Sequence, residues 1–442
     1  MHYETTLKKF QNKDATIAIV GLGYVGIPLA EVITQKGFKT IGVDIDPVKV
    51  DMLNQGRSYL HHIEDDRIQD MLATKRFEAS ENLEKVAQCD AVIICVPTPL
   101  GRHHEPVLSF IENAGEEIYP FICKGQLIVL ESSSFPGTTT EILKPILEKS
   151  GLIADKDFFL AFSPEREDPG NQSFSTSNIP KIIGGDTPET QELVKALYSQ
   201  FIQQVIPVDS TKVAEAAKLL ENIYRAVNIS LINELKIIFD PMDIDIWKVI
   251  DAAKTKPFGF MPFYPGPGIG GHCIPLDPYY LTWKSQENDM PTRLINIAGE
   301  INERMPHYVL KKTGEALDKH AQKGLNGSKI LIVGVAYKKN IDDYRESPAL
   351  KIADLLHKRG ARLSYFDPLI SELPNSPQCG VLADHKSIEA SAEHFEAYDA
   401  ILITVDHDTV DYQQIADHAH LIVDTRNVTA NCSDSDCIIV KA

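Results

Sequence analysis

Residues 15–46 read "ATIAIVGLGYVGIPLAEVITQKGFKTIGVDID". An apolar run ends at Val20, glycines stand at 21, 23 and 26, apolar residues at helical spacing follow, and a second short run ends in Asp44. This is strand, turn, helix, strand. Gly21 suits the tight turn, Gly23 lets backbone approach a pyrophosphate, and Gly26 allows close helix–strand packing. The helix start, through Tyr24 and Val25, then offers N–H groups to phosphate. An acid at position 44 can bond both ribose hydroxyls and repel a 2′-phosphate, so NAD is expected rather than NADP.

Outward from this unit the pattern repeats. Short apolar runs at 91–97, 126–132, 157–164, 180–185 and 204–208 predict strands, with helical stretches at 67–74, 108–120 and 137–149 between many of them. Alternating strands and helices predict a doubly wound parallel sheet. From Ser210 the chain becomes a long run, "STKVAEAAKLLENIYRAVNISLINELKIIF", with apolar residues at three- and four-residue spacing up to Pro241. Further helix is expected at 243–253 and 291–320. A second α/β pattern starts near Ser328, "KILIVGVAYKKN", with a helix at 347–359 and a strand ending in Asp367, and it lacks the three-glycine turn. The fold class is therefore α/β: two Rossmann-like doubly wound domains joined by a long central helix and a helical connecting region. The boundaries are 1–209 for the NAD-binding domain, 210–325 for the central domain and 326–442 for the last domain.

The formal net charge of −18 over 442 residues argues against a nucleic-acid partner gripped by a general basic surface. No apolar run reaches about 18 residues, so no membrane span is expected, and the opening residues carry no signal-peptide pattern. Seven cysteines (89, 95, 123, 273, 379, 432 and 437) without a CxxC pair suit a reducing cytoplasm and give no metal site.

Several strand ends and one loop carry candidate chemistry. "PGPGIGGHCIPLDP" (265–278) sets Cys273 behind dense glycine and four residues before Asp277. A thiol there can act as a nucleophile, although an inert loop cysteine is the ordinary reading of such a residue. His272 beside it is expected to be structural. "AEAAKLLEN" puts Lys218 and Asn222 one turn apart on the long helix, flanked by apolar residues that carry this face toward the interior. "FSPERED" sets Glu165 at a strand's carboxyl end, where open parallel sheets place their ligands. Thr98 in "CVPTP" and Ser134 in "ESSSFPGTT" offer hydroxyls on the same edge. Lys338, Arg345 and Arg426 stand near strand ends of the last domain and could meet an anionic ligand or form surface pairs.

These elements, in this order over nearly the whole chain, resemble the UDP-sugar 6-dehydrogenase family, which oxidises a nucleotide sugar's primary alcohol to a carboxylate with NAD. The resemblance implies that Cys273 is the nucleophile, passing through a thiohemiacetal and a thioester. It implies that Lys218 and Asn222 stabilise developing negative charge on oxygen, that Asp277 positions water or relays protons, and that Glu165 does acid–base work. It groups Tyr24, Val25, Lys49 and Arg345 with the cofactor set, and Arg166, Phe263, Tyr264, Gly270, Lys338 and Arg426 with the substrate set. It further implies dimers built through the long helix, with the loop near 256–264 approaching the neighbouring subunit, and a role in supplying a surface polysaccharide. "PEREDPGN" and Leu276 before the loop aspartate look like the UDP-N-acetylglucosamine branch rather than the UDP-glucose branch, and they leave the manno and galacto epimers open. Two rivals remain: a single-step hydroxy-acid dehydrogenase, which needs no cysteine, and a non-catalytic NAD-binding regulator.

Overall fold

A computed structural model of the chain describes residues 2–60, 63–101, 103–167, 176–271, 274–433 and 435–442. Two compact units emerge: one runs to Glu221 and includes Tyr279–Pro291, and the other comprises Asn222–Pro278 and Thr292–Ala442. The division falls inside the 29-residue central helix, Thr211–Phe239.

The first unit is built on one sheet of β1 (Thr16–Val20), β2 (Lys39–Val43), β3 (Phe77–Ser80), β4 (Ala91–Ile94), β5 (Leu127–Leu130), β6 (Phe159–Phe162), β7 (Lys181–Gly185) and β8 (Val205–Val208). Their order is β3-β2-β1-β4-β5-β6-β7-β8. The first six follow the dinucleotide-binding order, whose winding reverses between β1 and β4 and opens a crevice at the carboxyl ends there. Alternate residues of β1 feed opposite faces: Ile17 and Ile19 pack with Leu29, Ile33 and Leu197, while Ala18 and Val20 pack with Val92, Ile94 and Ile118. Both faces are covered, which is why these strands read as unbroken apolar runs.

The sheet is not wholly parallel as the sequence predicts. β7 runs antiparallel to β6, with Phe162 opposite Gly184 and Ala161 opposite Gly185. A parallel pair needs a crossover, usually a helix, and no helix is described between Phe162 and Lys181. The consequence is that Lys181, the first residue of β7, lies at the edge where the parallel strands end. A helix at His2–Asn12 was also not apparent from the sequence; it buries Phe10, and Thr6 Oγ1 donates to the Gly125 carbonyl at 2.7 Å. The helix expected at 137–149 is present: after Gly137 in the left-handed region it opens as a π-helix, Thr138–Leu143, and continues as an α-helix, Lys144–Leu147.

The second unit carries β9 (Lys329–Val333), β10 (Arg362–Phe366), β11 (Ala400–Ile403), β12 (Leu421–Asp424) and β13 (Ile438–Lys441), all parallel, in the order β10-β9-β11-β12-β13. This is the other common doubly wound order, with its crevice between β9 and β11. Helices Pro348–Lys358 and Arg293–Ala316 pack on it through Ile352, Leu356, Val309 and Ala316. No helix among the described residues is long and apolar enough to cross a membrane.

Candidate functional site

In the first unit the turn after β1 has the geometry that its glycines predict. Gly21 sits at φ +96°, its N–H donates to the Val43 carbonyl at 2.8 Å, and a Cβ on it would lie 2.6 Å from the Cys95 carbonyl oxygen. A Cβ on Gly26, where the helix Gly26–Gln35 begins, would lie 1.9 Å from the Gly21 oxygen. Gly23 differs, since a Cβ there would meet nothing within 4 Å. Its backbone faces open space, as a cradle for pyrophosphate requires. Val25 at the N-cap has no side-chain acceptor, and Tyr24 beside it is half exposed. The buried Ser134 hydroxyl has no partner among the described residues, so it is a polar atom waiting for one. The Thr98 carbonyl accepts from the Tyr280 hydroxyl.

Asp44 is engaged more heavily than the sequence suggests. Its carboxylate accepts the Leu22 N–H at 2.9 Å and the Asp46 N–H at 3.0 Å, with Lys49 Nζ at 3.7 Å. It therefore shapes the turn and lies at the ribose position of the nucleotide-binding order. Asp367, at the end of β10, repeats the device: it accepts the Val335 and Ala336 N–H groups and faces the buried His407 at 3.3 Å.

Beyond β6, Glu165 Oε1 accepts the Arg166 and Glu167 N–H groups at 2.6 and 2.5 Å, and Oε2 lies 3.4 Å from Lys181 Nζ. Burial alone would raise this carboxyl, but Lys181, the Glu167 N–H, Lys218 and the Arg166 N–H outweigh it and hold it below the usual range. Glu167 moves the other way, pushed up to about 8 by its own burial and then by Glu165. Lys218 is buried at 7% exposure, so its helix face does run inward. Arg166 donates to the Pro180 carbonyl at 2.5 Å and pairs with Glu221 at 2.7 Å.

The second unit holds the remaining candidates. One turn beyond Lys218 on the same helix, Asn222 Nδ2 donates to Asp277 Oδ2 at 2.5 Å, both side chains being buried. Cys273 and His272 lie outside the described residues, whereas the loop on either side is described. Gly270 and Gly271 lie so close to Tyr337 that a Cβ on either would come within 2.7 and 2.9 Å of it. The Gly271 N–H donates to the Arg345 carbonyl at 3.3 Å, and the Arg345 guanidinium forks onto Asp343. Phe263 meets Tyr224 edge-on, and Tyr264 stacks on Trp247 at 5.6 Å. Arg426 leaves the end of β12 with Nε on Asp406 at 2.9 Å, and its Nη1 would be 2.8 Å from a Cβ on Gly266. The half-buried Lys338 follows β9.

The sequence gives little sign of several buried polar residues. Glu215, on the central helix, accepts Gly137 N–H, Thr139 N–H and Thr139 Oγ1 at 2.5, 2.9 and 2.7 Å. It thereby braces the loop that carries Ser134. Asn233 accepts the Gly266 N–H at 3.0 Å and donates to Asn302 at 3.0 Å, tying the cysteine loop to the long helix. Glu131 and Lys181 form a third such group. Polar residues at apolar-periodic positions of a helix or strand were the available signal. Among the described residues there is no cluster of metal-ligating side chains.

The comparisons with known proteins decide the family. Residues 15–202 match the NAD binding domain of the UDP-glucose/GDP-mannose dehydrogenase family, 212–304 its central domain and 331–431 its UDP binding domain. The chain belongs to this family. It is an NAD-dependent oxidoreductase of nucleotide sugars, and the open Gly23 backbone and the unpartnered Ser134 hydroxyl fit that cofactor. The chain is 38% identical over 402 residues to a UDP-N-acetyl-D-glucosamine 6-dehydrogenase of Pseudomonas aeruginosa, covering 89% of this chain and 91% of that one. It is 34% identical to an NDP-N-acetyl-D-galactosaminuronic acid dehydrogenase of Ralstonia nicotianae, covering 93% and 96%. Among solved structures, a UDP-D-ManNAc dehydrogenase of Pyrococcus horikoshii superposes with a TM-score of 0.84 at 31% identity, covering 96% of this chain and 99% of that one.

Proposed function

We propose that this dehydrogenase oxidises the C6 primary alcohol of a UDP-N-acetylhexosamine, UDP-N-acetylglucosamine first, to the uronate in two successive two-electron steps, the second of them on an adduct with one active thiol. The observation that carries the reading is the buried Asn222–Asp277 hydrogen bond of 2.5 Å, which fixes the residue four places after Cys273 to the helix of Lys218. NAD, when bound at the β1 turn, supplies the hydride acceptor for each oxidation. The Lys218 ammonium and the Asn222 amide stabilise negative charge on the C6 oxygen as its proton leaves; in a dry site such fixed charge acts strongly. The Cys273 sulfur bonds to the aldehyde carbon, whose oxygen takes a proton, giving a thiohemiacetal. After the second oxidation a thioester remains. Asp277 orients the water that attacks it, the C–S bond breaks, the thiol is restored and the carboxylate leaves. Glu165 takes and returns protons in the thioester steps. Holding the aldehyde covalently prevents its escape.

Lys338 and Arg426, at the β9 and β12 ends, are assigned to the UDP moiety and Arg345 to the cofactor. Arg166, Phe263, Tyr264 and Gly270 line the sugar's path. The relatives named for N-acetylated sugars support the N-acetylhexosamine, as do "PEREDPGN" and Leu276. The superposition on the ManNAc enzyme favours UDP-N-acetylmannosamine as the second reading. The three functions fall to residues 1–209, 210–325 and 326–442. Assembly is at least dimeric through the central helix, where Val213, Leu220, Tyr224, Leu231 and Ile238 stand exposed along one face. We place the enzyme in the cytoplasm, supplying uronate for a surface polysaccharide. The test is the yield of NADH per UDP-N-acetylglucosamine consumed, with UDP-N-acetylmannosamine and UDP-glucose in parallel. Two NADH from the first alone supports the whole reading; one NADH removes the thioester route.

A further inference from the structure

Three buried polar groups and the partly buried Glu165 stand in a line at the carboxyl edge of the first sheet. The Tyr198 hydroxyl donates to Glu131 Oε1, and Glu131 Oε2 lies 2.8 Å from Lys181 Nζ. Lys181 in turn reaches Glu165 Oε2 at 3.4 Å. Glu131 and Lys181 are 1% and 3% exposed. The three come from different elements: Glu131 directly follows β5, Tyr198 ends the helix Pro188–Tyr198, and Lys181 opens β7. The antiparallel register, Phe162 opposite Gly184, continues outward to set Glu165 opposite Lys181. In a parallel β7 the first residue would lie at the far edge of the sheet, so the reversal of this one strand is what delivers an ammonium to the strand end.

An ion pair this deep adds little net stability, because desolvating both charges offsets their attraction. Two apolar residues would serve the core as well. A buried charge pair that reaches a third, functional charge calls for another explanation. We propose that Lys181, anchored on Glu131 and Tyr198, is a positioning residue that keeps the Glu165 carboxylate ionised and directed at the reacting oxygen. This rests on the acid–base role given to Glu165 above.

Among the described residues, the groups facing Glu165 are few. Lys181 comes from β7, Lys218 from the central helix, Glu131 from β5 and Cys95 from the end of β4, with Arg166 and Glu167 on its own loop. Lys181 is the foremost of the groups that hold the Glu165 carboxyl down. An opposite charge at such range lowers a carboxyl by roughly 1–3 pH units. Removing it therefore raises the pH at which Glu165 gains a proton. Glu131, left alone, takes a proton itself, since burial already raises it.

The experiment is the pH profile of kcat/KM for UDP-N-acetylglucosamine oxidation by wild type, Lys181→Met, Lys181→Arg, Glu165→Gln and the Lys181→Met/Glu165→Gln pair. Lys181→Met should move the acid limb up by about one to two pH units. Lys181→Arg should bring it back, and the pair should show no limb at that position. Should Lys181→Met fail to fold, Lys181→Met/Glu131→Gln removes both buried charges together and is read in the same way. A Lys181→Met profile that superimposes on wild type, with Glu165→Gln at least about a hundredfold slower, overturns the positioning role alone. Glu165→Gln at wild-type rate overturns the acid–base assignment and the positioning role with it.

Discussion

A methyl group at position 23 should separate cofactor binding from folding. In Gly23→Ala the new Cβ meets nothing within 4 Å, and no left-handed φ stands in its way. The folded chain should be as stable as wild type to within about 0.5 kcal/mol, the usual range of a surface change. The methyl instead fills the space where the backbone must approach the pyrophosphate. Losing that approach should weaken NAD at least tenfold, about 1.4 kcal/mol. Gly26→Ala is the matched control, placing its Cβ 1.9 Å from the Gly21 oxygen. Alanine is worth about 1 kcal/mol over glycine in a helix, yet an overlap with backbone costs about 1–3 kcal/mol or more. That variant should melt lower even without ligand. The assay pairs calorimetric titration of NAD with thermal melts of both variants. Gly23→Ala binding NAD as tightly as wild type, or melting as low as Gly26→Ala, refutes the assignment of that open face to the cofactor.

Four further outcomes are expected. Asp44→Ala should weaken NAD and narrow its advantage over NADP, with an added cost of about 1–3 kcal/mol because the Leu22 and Asp46 N–H groups lose their acceptor; an unchanged cofactor ratio removes Asp44 as the ribose reader. Cys273→Ser should bind NAD normally in titration while acid production falls by orders of magnitude, and wild-type acid output would dismiss the thiol. Lys236, 5% exposed, is lowered to about 8 by burial, with Asp424 opposing. Its folded value lies below the unfolded one, so it costs stability below about pH 8 and the cost fades as pH rises toward 10.5. Lys236→Met should therefore gain on the order of 1–3 kcal/mol at pH 7 and flatten the rise between pH 8 and 10, as read by denaturant melts. Leu231→Lys with Ile238→Lys should give monomers in sedimentation; intact dimers would move the interface elsewhere.

The nucleotide-binding turn, the alternation of strands and helices and the long central helix were legible from residues 15–46 and 210–239, because each is local. Backbone geometry at glycines and the period of apolar residues are written in neighbouring positions. Cys273, Asp277, Lys218, Asn222 and Glu165 stood out as candidates through their spacing and the family they resemble, and of these the structure joins Asn222 to Asp277 by a hydrogen bond. The direction of β7 was not legible, since "PKIIGG" reads alike in either sense and only pairing with β6 decides it. The partners of Asp44 were hidden for the same reason. Its acid could be read as a ribose ligand, but the N–H groups it accepts come from a turn 22 residues earlier and from its own strand end. Glu131, Lys181 and Tyr198 are scattered over 67 positions, each unremarkable in its own segment. Sequence by itself determined which segments could bury an apolar face and which residues were candidates for chemistry. Tertiary structure alone decided which distant charges are buried together, because the cost of desolvating a charge depends on what the fold sets within hydrogen-bond reach of it.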